Sequence, residues 1–352
     1  MKISIIIPVY NAADTIYRTV HSIDTKRDTE IICINDGSTD ETADRLDTLK
    51  QQFPTMKVIH QENQGAAASR NKGLSHMTGD AFMFIDADDE FLTSRIDLMA
   101  DAFEEDSNID IVVGQLGRDY HGEWKAIPTH QPIQKHEKVT FAQCPELLQS
   151  IGPGAKLFDA KLNDLRFDTD VVFCEEHTFM TQAYKRASDI QLLPQVVYGY
   201  NQQSGSVTEQ RVDRFHDYMK DALKVRKRVM DALMLLDLRL YYSYRMDELI
   251  VSYLIQGYLT AHSTLSQEII DDVTEYIEAM QHTDYDGGAL FRIVKAVEQA
   301  GTGWTKSIYE EWQQTLIGVG IKRPQYYIFK AKVLPKRLNY KGKTQLKRRF
   351  KK

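Results

Sequence analysis

The chain is predicted to be an α/β protein whose first part builds a mostly parallel sheet and whose later part is a helical domain. Three observations carry this reading. Short apolar runs alternate with helix-length stretches as far as about residue 114, polar residues stand at or just after the ends of those runs, and beyond about residue 210 the apolar positions take helical spacing, with no glycine until Gly257.

Residues 3–9 (Ile-Ser-Ile-Ile-Ile-Pro-Val) read as a strand buried on both faces, and Tyr10-Asn11-Ala12-Ala13 leads into a helix over 14–23. Residues 30–36 form a second strand that ends in the polar turn Gly37-Ser38-Thr39-Asp40, where Ser38, Thr39 or Asp40 can cap a helix over 41–52. A third strand at 57–60 precedes Gln64-Gly65 and a helix over 66–77, and a fourth strand spans 81–85. A helix over 94–105 and a strand over 109–114 follow, after which the pattern weakens around a hairpin turn at His121-Gly122-Glu123-Trp124. Next come a helix over 145–150, a Gly-Pro-Gly turn at 152–154, a strand or bend carrying Lys156-Leu157-Phe158, a helix over 175–185 and a strand over 195–201. Long helices are expected near 211–237, 239–263, 266–282, 288–300 and 304–319. The domains are therefore read as 1–210, 211–320 and a basic tail, 321–352.

The fourth strand runs straight into Asp86-Ala87-Asp88-Asp89. Ionised carboxylates repel one another and resist burial, so such a cluster at a strand end calls for a positive partner, best met by a hard metal ion carrying a phosphorylated ligand; a solvated acidic turn is the alternative. Asn11, Asp36, Asn63 and Asp86 all fall at strand ends, and in parallel sheets ligands lie beyond those ends.

Hydrophobic residues at 42% and charged residues at 27% exclude a largely disordered chain. Cys33, Cys144 and Cys174 form no Cys-x-x-Cys pair, which argues for a reducing compartment and against structural zinc. The apolar run at the start is too short for a signal peptide, and no stretch approaches the roughly 20 apolar residues that span a bilayer. A cytoplasmic location is expected. The formal net charge of -6 hides a division: residues 322–352 hold 13 Lys or Arg and no Asp or Glu, leaving 31 basic against 50 acidic residues before them. The tail's interleaved apolar residues suit an anionic membrane surface, which would make the protein peripheral at the inner face of the membrane; a merely solvated tail is the alternative, and nucleic acid is not the expected partner. Apolar faces in the helices over 211–263 point to a homo-oligomer.

Residues 1 to about 210 resemble a family 2 glycosyltransferase with the GT-A fold. The elements that carry the resemblance are Ile-Ile-Ile-Pro-Val-Tyr-Asn at 5–11, Ile-Asn-Asp-Gly-Ser-Thr-Asp at 34–40, Gln-Glu-Asn-Gln-Gly-Ala-Ala-Ala-Ser-Arg-Asn-Lys-Gly at 61–73, Phe-Ile-Asp-Ala-Asp-Asp at 84–89, Ala-Lys-Leu-Phe at 155–158 and Glu-Glu-His-Thr-Phe at 175–179. The resemblance implies that Pro8 and Tyr10 frame a uracil ring, with Asn11 beside them, and that Asp36 accepts from the base. It implies that Asn63 and Gly65 hold the loop beneath the nucleotide and that Arg70 supplies charge to the diphosphate, an exposed surface ion pair being the alternative. Asp86 is assigned to the ribose side and Asp88 to Mn²⁺ or Mg²⁺, while Asp89 either joins them or caps the helix near Thr93 or Ser94.

Glu176 aligns with the catalytic base, and because the family usually has Glu-Asp there, Glu175 is the second candidate; a structural ion pair with Lys185 or Arg186 is the alternative for both. His177 touches diphosphate or acceptor, or is a local hydrogen-bonding residue. Lys156 resembles a position near donor phosphate or acceptor, a surface role being its alternative. Ser206 falls in a segment, 202–208, that resembles a mobile loop closing the donor site. The Gln-x-x-Arg-Trp element of processive members is absent. The implied activity is thus inverting transfer of a single sugar from a UDP-sugar to a cell-surface polysaccharide, teichoic acid or lipid-linked precursor. A sugar nucleotidyltransferase is the competing enzyme class, though no Gly-x-Gly-Thr-Arg type loop follows the first strand. A non-catalytic nucleotide-sugar-binding scaffold is the third reading.

Overall fold

The structure, a computed structural model, describes residues 1–130, 133, 135–201, 210–255, 257–258 and 267–281, with isolated helical positions between 310 and 331. Ser206 and its loop, the helix expected at 288–300 and most of the helix at 304–319 and of the basic tail lie outside the described residues. The chain divides into two compact units, Met1–Gln203 with Asp231–Leu235, and Ser204–Met230 with Leu236–Lys352.

In the first unit the elements run β1 (Lys2–Val9), α1 (Ile16–His21), β2 (Asp28–Asp36), α2 (Thr42–Gln52), β3 (Met56–Gln61), α3 (Ala66–His76), β4 (Ala81–Phe84), β5 (Glu90–Phe91), α4 (Arg95–Glu104), β6 (Ile109–Tyr120), β7 (Glu123–Ala126), β8 (Glu137–Val139), β9 (Lys156–Asp159), α5 (Glu176–Arg186) and β10 (Asp189–Gly199). They form one sheet in the order β3-β2-β1-β4-β9-β6-β10-β5, with β7 on β6 and β8 on β10. β1 pairs in parallel with β2 and β4, β2 with β3, and β6 with β10. β9 lies antiparallel between β4 and β6, so β6 and β10 run the same way as the first four strands. The carboxyl ends of β1, β2, β4 and β10 consequently share one edge of the sheet.

β1 is buried on both faces, as its unbroken apolar run requires. One face packs Ile3, Ile5, Ile7, Ile31, Cys33, Met83 and Val112 against α1, α2 and α4. Across the other, Phe82, Phe84, Phe158, Phe167 and Phe179 form an aromatic cluster whose Phe82–Phe158 and Phe167–Phe179 rings stack at 5.0 and 4.0 Å. Each such ring contributes about 1.5–3 kcal/mol by leaving water, and the cluster fastens α5 to the sheet.

Three sequence expectations need correction. The helix over 145–150 is instead a single 3₁₀ turn, Pro145–Leu148, preceded by another at Phe141–Gln143. The helix over 94–105 carries no side-chain cap, and Asp89 turns inward rather than toward Ser94. In the second unit α6 (Phe215–Ala232) ends earlier than expected, α7 spans Leu236–Leu249 and a π-helical turn, Ile250–Ile255, follows before α8 (Gln267–Gln281). α6 buries Phe215, Tyr218, Met219, Ala222, Val225, Val229 and Met230, whereas Met234, Leu235, Leu236 and Tyr244 beyond it are exposed. Among the described residues no helix is long and apolar enough to cross a membrane.

Candidate active site

At the end of β1, Pro8 is half-buried and Tyr10 is 52% exposed, leaving its ring open to a ligand. Asn11 adopts a left-handed φ of 47° and locks the following turn: its N–H donates to Ser38 Oγ at 3.0 Å and its side-chain oxygen accepts from Thr39 N at 2.8 Å. Asp40, not Ser38 or Thr39, closes the start of α2, accepting from Thr42 N at 3.0 Å. Asp36 is buried, and its carboxylate gathers the next loop by accepting from Gln61 Nε2 at 2.8 Å, Gln64 N at 2.9 Å and Gly65 N at 2.8 Å. A base bound by Asp36 has to share it with these three donors. Gly37 sits at φ +69°, and a Cβ there would lie 2.8 Å from Asn63 N, so only glycine lets the two loops meet. Asn63 and Gly65 are exposed on that loop, Gly65 at φ +88°.

The acidic turn after β4 is held from below. Tyr198, buried near the end of β10, accepts from Asp86 N at 3.0 Å and donates to Asp89 Oδ2 at 2.7 Å, while Asn201 N donates to Asp89 Oδ1 at 2.8 Å. Thr19 Oγ1 bonds the carbonyls of Ala87 and Asp89, and Arg18 Nη2 bonds that of Asp88 at 2.6 Å. Asp89 is therefore a structural anchor; burial, reinforced by the charge of Asp86, raises its carboxyl well above the usual range. Asp86 and Asp88 are half-buried. Burial first and the charge of Asp86 second also raise the Asp88 carboxyl, and Arg18 meets its backbone rather than its carboxylate. Arg18 lowers it only in part, and a hard carboxylate so destabilised by burial and by its neighbour fits a divalent cation shared with phosphate oxygens. Among the described residues no three His, Cys, Asp or Glu side chains form a metal cage by themselves.

One guanidinium joins this turn to the glutamate pair. Arg70, on α3 and 6% exposed, gives Nη2 to Asp86 Oδ1 at 2.8 Å and Nη1 to Glu175 Oε1 at 3.1 Å, with its guanidinium 5.4 Å from the Phe167 ring centroid. The exposed ion pair considered for Arg70 is thus excluded. Burial opposes its charge, but Asp86, Glu175 and Glu176 outweigh burial and hold it firmly protonated. Glu175 caps α5 and Glu176 opens it. Burial, then the charge of Glu176, raises the Glu175 carboxyl, and Arg70 opposes the rise. The ion pairs considered for them do not form: Lys185 donates to Ala232 O, and Arg186 pairs with Asp164. His177 is 5% exposed, on the inner side of α5.

Lys156 corrects the sequence reading. It is 0% exposed, and its ammonium donates to Ser150 Oγ at 2.9 Å, Gly152 O at 2.6 Å and Gly154 O at 3.1 Å. All three donors are consumed inside the protein, so neither the surface role nor direct contact with a phosphate fits. Burial lowers its pKa to about 7. Sequence reasoning passed over Tyr198, Asn201 and Arg18; the available signal was that an inward-turning third aspartate must find donors of its own.

A nucleotide-type α/β sheet with carboxylates at its carboxyl edge and a glutamate pair across a buried arginine defines a group-transfer class of fold. Comparison with known proteins narrows it. The model of Glycosyl transferase family 2 matches residues 4–166. Over 354 residues, covering 99% of this chain and 100% of the relative, the chain is 35% identical to "Putative glycosyltransferase TagX" of Staphylococcus aureus strain MSSA476. It is 31% identical over 209 residues to the Poly(ribitol-phosphate) beta-glucosyltransferase of Bacillus spizizenii, covering 57% of this chain and 32% of that one. A crystal structure of S. aureus TarS 1-349 in complex with UDP-GlcNAc superposes with a TM-score of 0.66 at 17% identity, over 89% of this chain and 92% of that one. The chain belongs to glycosyltransferase family 2, and its fold is GT-A-like.

Proposed function

We propose that this glycosyltransferase is inverting and metal-dependent, and that it moves a single sugar from a UDP-sugar to a cell-surface polysaccharide, teichoic acid or lipid-linked precursor. The observation that carries the reading is Arg70: its two terminal nitrogens bring Asp86 and Glu175, distant in sequence, into one site with Asp88 and Glu176. The S. aureus TarS structures with UDP and with UDP-GlcNAc support a uridine nucleotide, and the B. spizizenii relative's name supports a polyol-phosphate acceptor.

In this reading Pro8, Tyr10 and Asn11 frame the base together with Asp36, the Asn63–Gly65 loop lies beneath the nucleotide, and Asp86 takes the ribose side. Asp88 would hold Mn²⁺ or Mg²⁺, which when bound neutralises charge on the departing diphosphate. Glu176 receives the proton of the acceptor hydroxyl. Glu175, steadied by Arg70, lies beside Glu176 and aims it. His177 backs the pair from the inner side of α5. Ser206 is assigned with 202–208 to the donor loop that the resemblance implies, residues 211–320 to acceptor binding, self-association or docking on other membrane enzymes, and the tail over 321–352 to an anionic membrane at the inner face.

Release of UDP from a panel of UDP-sugars, with poly(ribitol phosphate) as acceptor and with Mn²⁺ or chelator, tests this. Chelator-sensitive transfer with inverted anomeric configuration is expected. No transfer from any UDP-sugar, or formation of pyrophosphate from UTP and a sugar 1-phosphate, would overturn it.

A further inference from the structure

Lys156 is a fully buried amine with no carboxylate among its partners: its nitrogen is held by one hydroxyl and two carbonyls. A long polar side chain sunk in the core without a counter-charge breaks the usual pattern for lysine, and such departures tend to serve function rather than stability. Its three bonds gather the turn Ser150–Gly154 into a fixed loop, and two further contacts brace that loop: Tyr184 OH donates to Ser150 O at 2.7 Å, and His130 Nε2 lies 3.2 Å from Ser150 Oγ. The far side of the loop rests on Tyr198. A Cβ on Gly154 would lie 3.2 Å from both Cε2 and Cζ of that ring, so the ring stands beside the loop with too little room for a side chain between them. The hydroxyl in turn accepts from Asp86 N and donates to Asp89 Oδ2.

We infer that Lys156 is a positioning residue for transfer, acting through the Ser150–Gly154 loop and the Tyr198 ring to fix the backbone of the Asp86–Asp88 turn. The inference rests on the proposed function, because the turn it positions is the one read as the nucleotide and metal site. It assigns Lys156 no contact with donor or acceptor. Supporting shells of this kind typically change ligand affinity or turnover by about 10–100-fold when disturbed.

The test is titration calorimetry of UDP in Mn²⁺ on the full chain, with Lys156→Met, Tyr198→Phe, their double variant, and Gly154→Ala. Tyr198→Phe keeps the ring and removes only the hydroxyl, and Gly154→Ala pushes the ring while leaving Lys156 in place, so both report even where Lys156→Met does not fold. UDP affinity is expected to fall about tenfold in each single variant, the double variant is expected to be no weaker than the weaker single one, and the acceptor KM is expected to stay put. Wild-type affinity in Gly154→Ala and Tyr198→Phe would overturn the inference. So would additive losses in the double variant. A wild-type protein that binds no UDP sinks the proposed function itself, a different result from a wild-type protein that binds UDP as tightly as all four variants.

Discussion

Arg70→Met removes the guanidinium that joins the acidic turn to the glutamate pair. The loss can be worked from exposure. A hydrogen bond to a charged group contributes about 1.5–3 kcal/mol when shielded from water, and an exposed ion pair about 0–1 kcal/mol. The Asp86 side chain is 46% exposed and that of Glu175 18%, so the Glu175 bond dominates and the Asp86 bond adds little. The contact with Phe167 adds about 0.5–1 kcal/mol. Arg70→Met is therefore expected to destabilise the protein by about 3 kcal/mol, and Arg70→Lys, which keeps a charge but cannot fork, by about half of that. Urea unfolding, read as a shift in midpoint at constant slope, measures it. Much of the loss comes from stranding Glu175 without a partner, so Glu175→Gln in the Arg70→Met background should restore about 1–2 kcal/mol. An Arg70→Met protein within about 0.5 kcal/mol of wild type, or one that Glu175→Gln weakens further, would refute the bridge.

Two more perturbations follow from other parts of the same sheet. Glu30 is 3% exposed; burial raises its carboxyl, but hydrogen bonds from Lys57, Ser4 and Thr78 outweigh burial and bring it down to about 2 from 4.5. A depressed carboxylate stabilises the fold above its unfolded pKa, so up to about 3 kcal/mol should be present above pH 4.5 and drain away as pH falls toward 2. Glu30→Gln should flatten that part of the stability–pH curve, and an unchanged curve would exclude Glu30 as its source. Gly37→Ala forces a left-handed φ on alanine and a contact with Asn63, an expected cost of about 2–3 kcal/mol together with weaker UDP binding. Unchanged binding of UDP by a folded Gly37→Ala protein would detach this loop from the nucleotide.

The first four strands were legible because unbroken apolar runs such as Ile3–Val9 have one stable use, a strand covered on both faces. The carboxyl edge was legible for the same reason: Asp36 and Asp86 follow those runs directly. β5, of two residues, and the antiparallel insertion of β9 between β4 and β6 were not, since a short apolar run says nothing of its direction or partners. Asp86, Asp88, Arg70 and the glutamate pair could be singled out from the sequence, but not that Arg70 would hold Asp86 and Glu175 together. The role of Lys156 was misjudged because lysine is so seldom fully buried, and Tyr198 was missed because its hydroxyl acts on a turn more than a hundred residues away.

The most direct measurement is a side-by-side comparison of wild type, Asp88→Asn and Glu176→Gln, following UDP binding in Mn²⁺ and single-turnover sugar transfer together. Glu176→Gln should bind UDP as the wild type does yet transfer about 10²–10⁴-fold more slowly, and Asp88→Asn should lose the Mn²⁺-dependent part of binding. Transfer at the wild-type rate by both variants would contradict a site in which the strand-end aspartate and the glutamate pair act together.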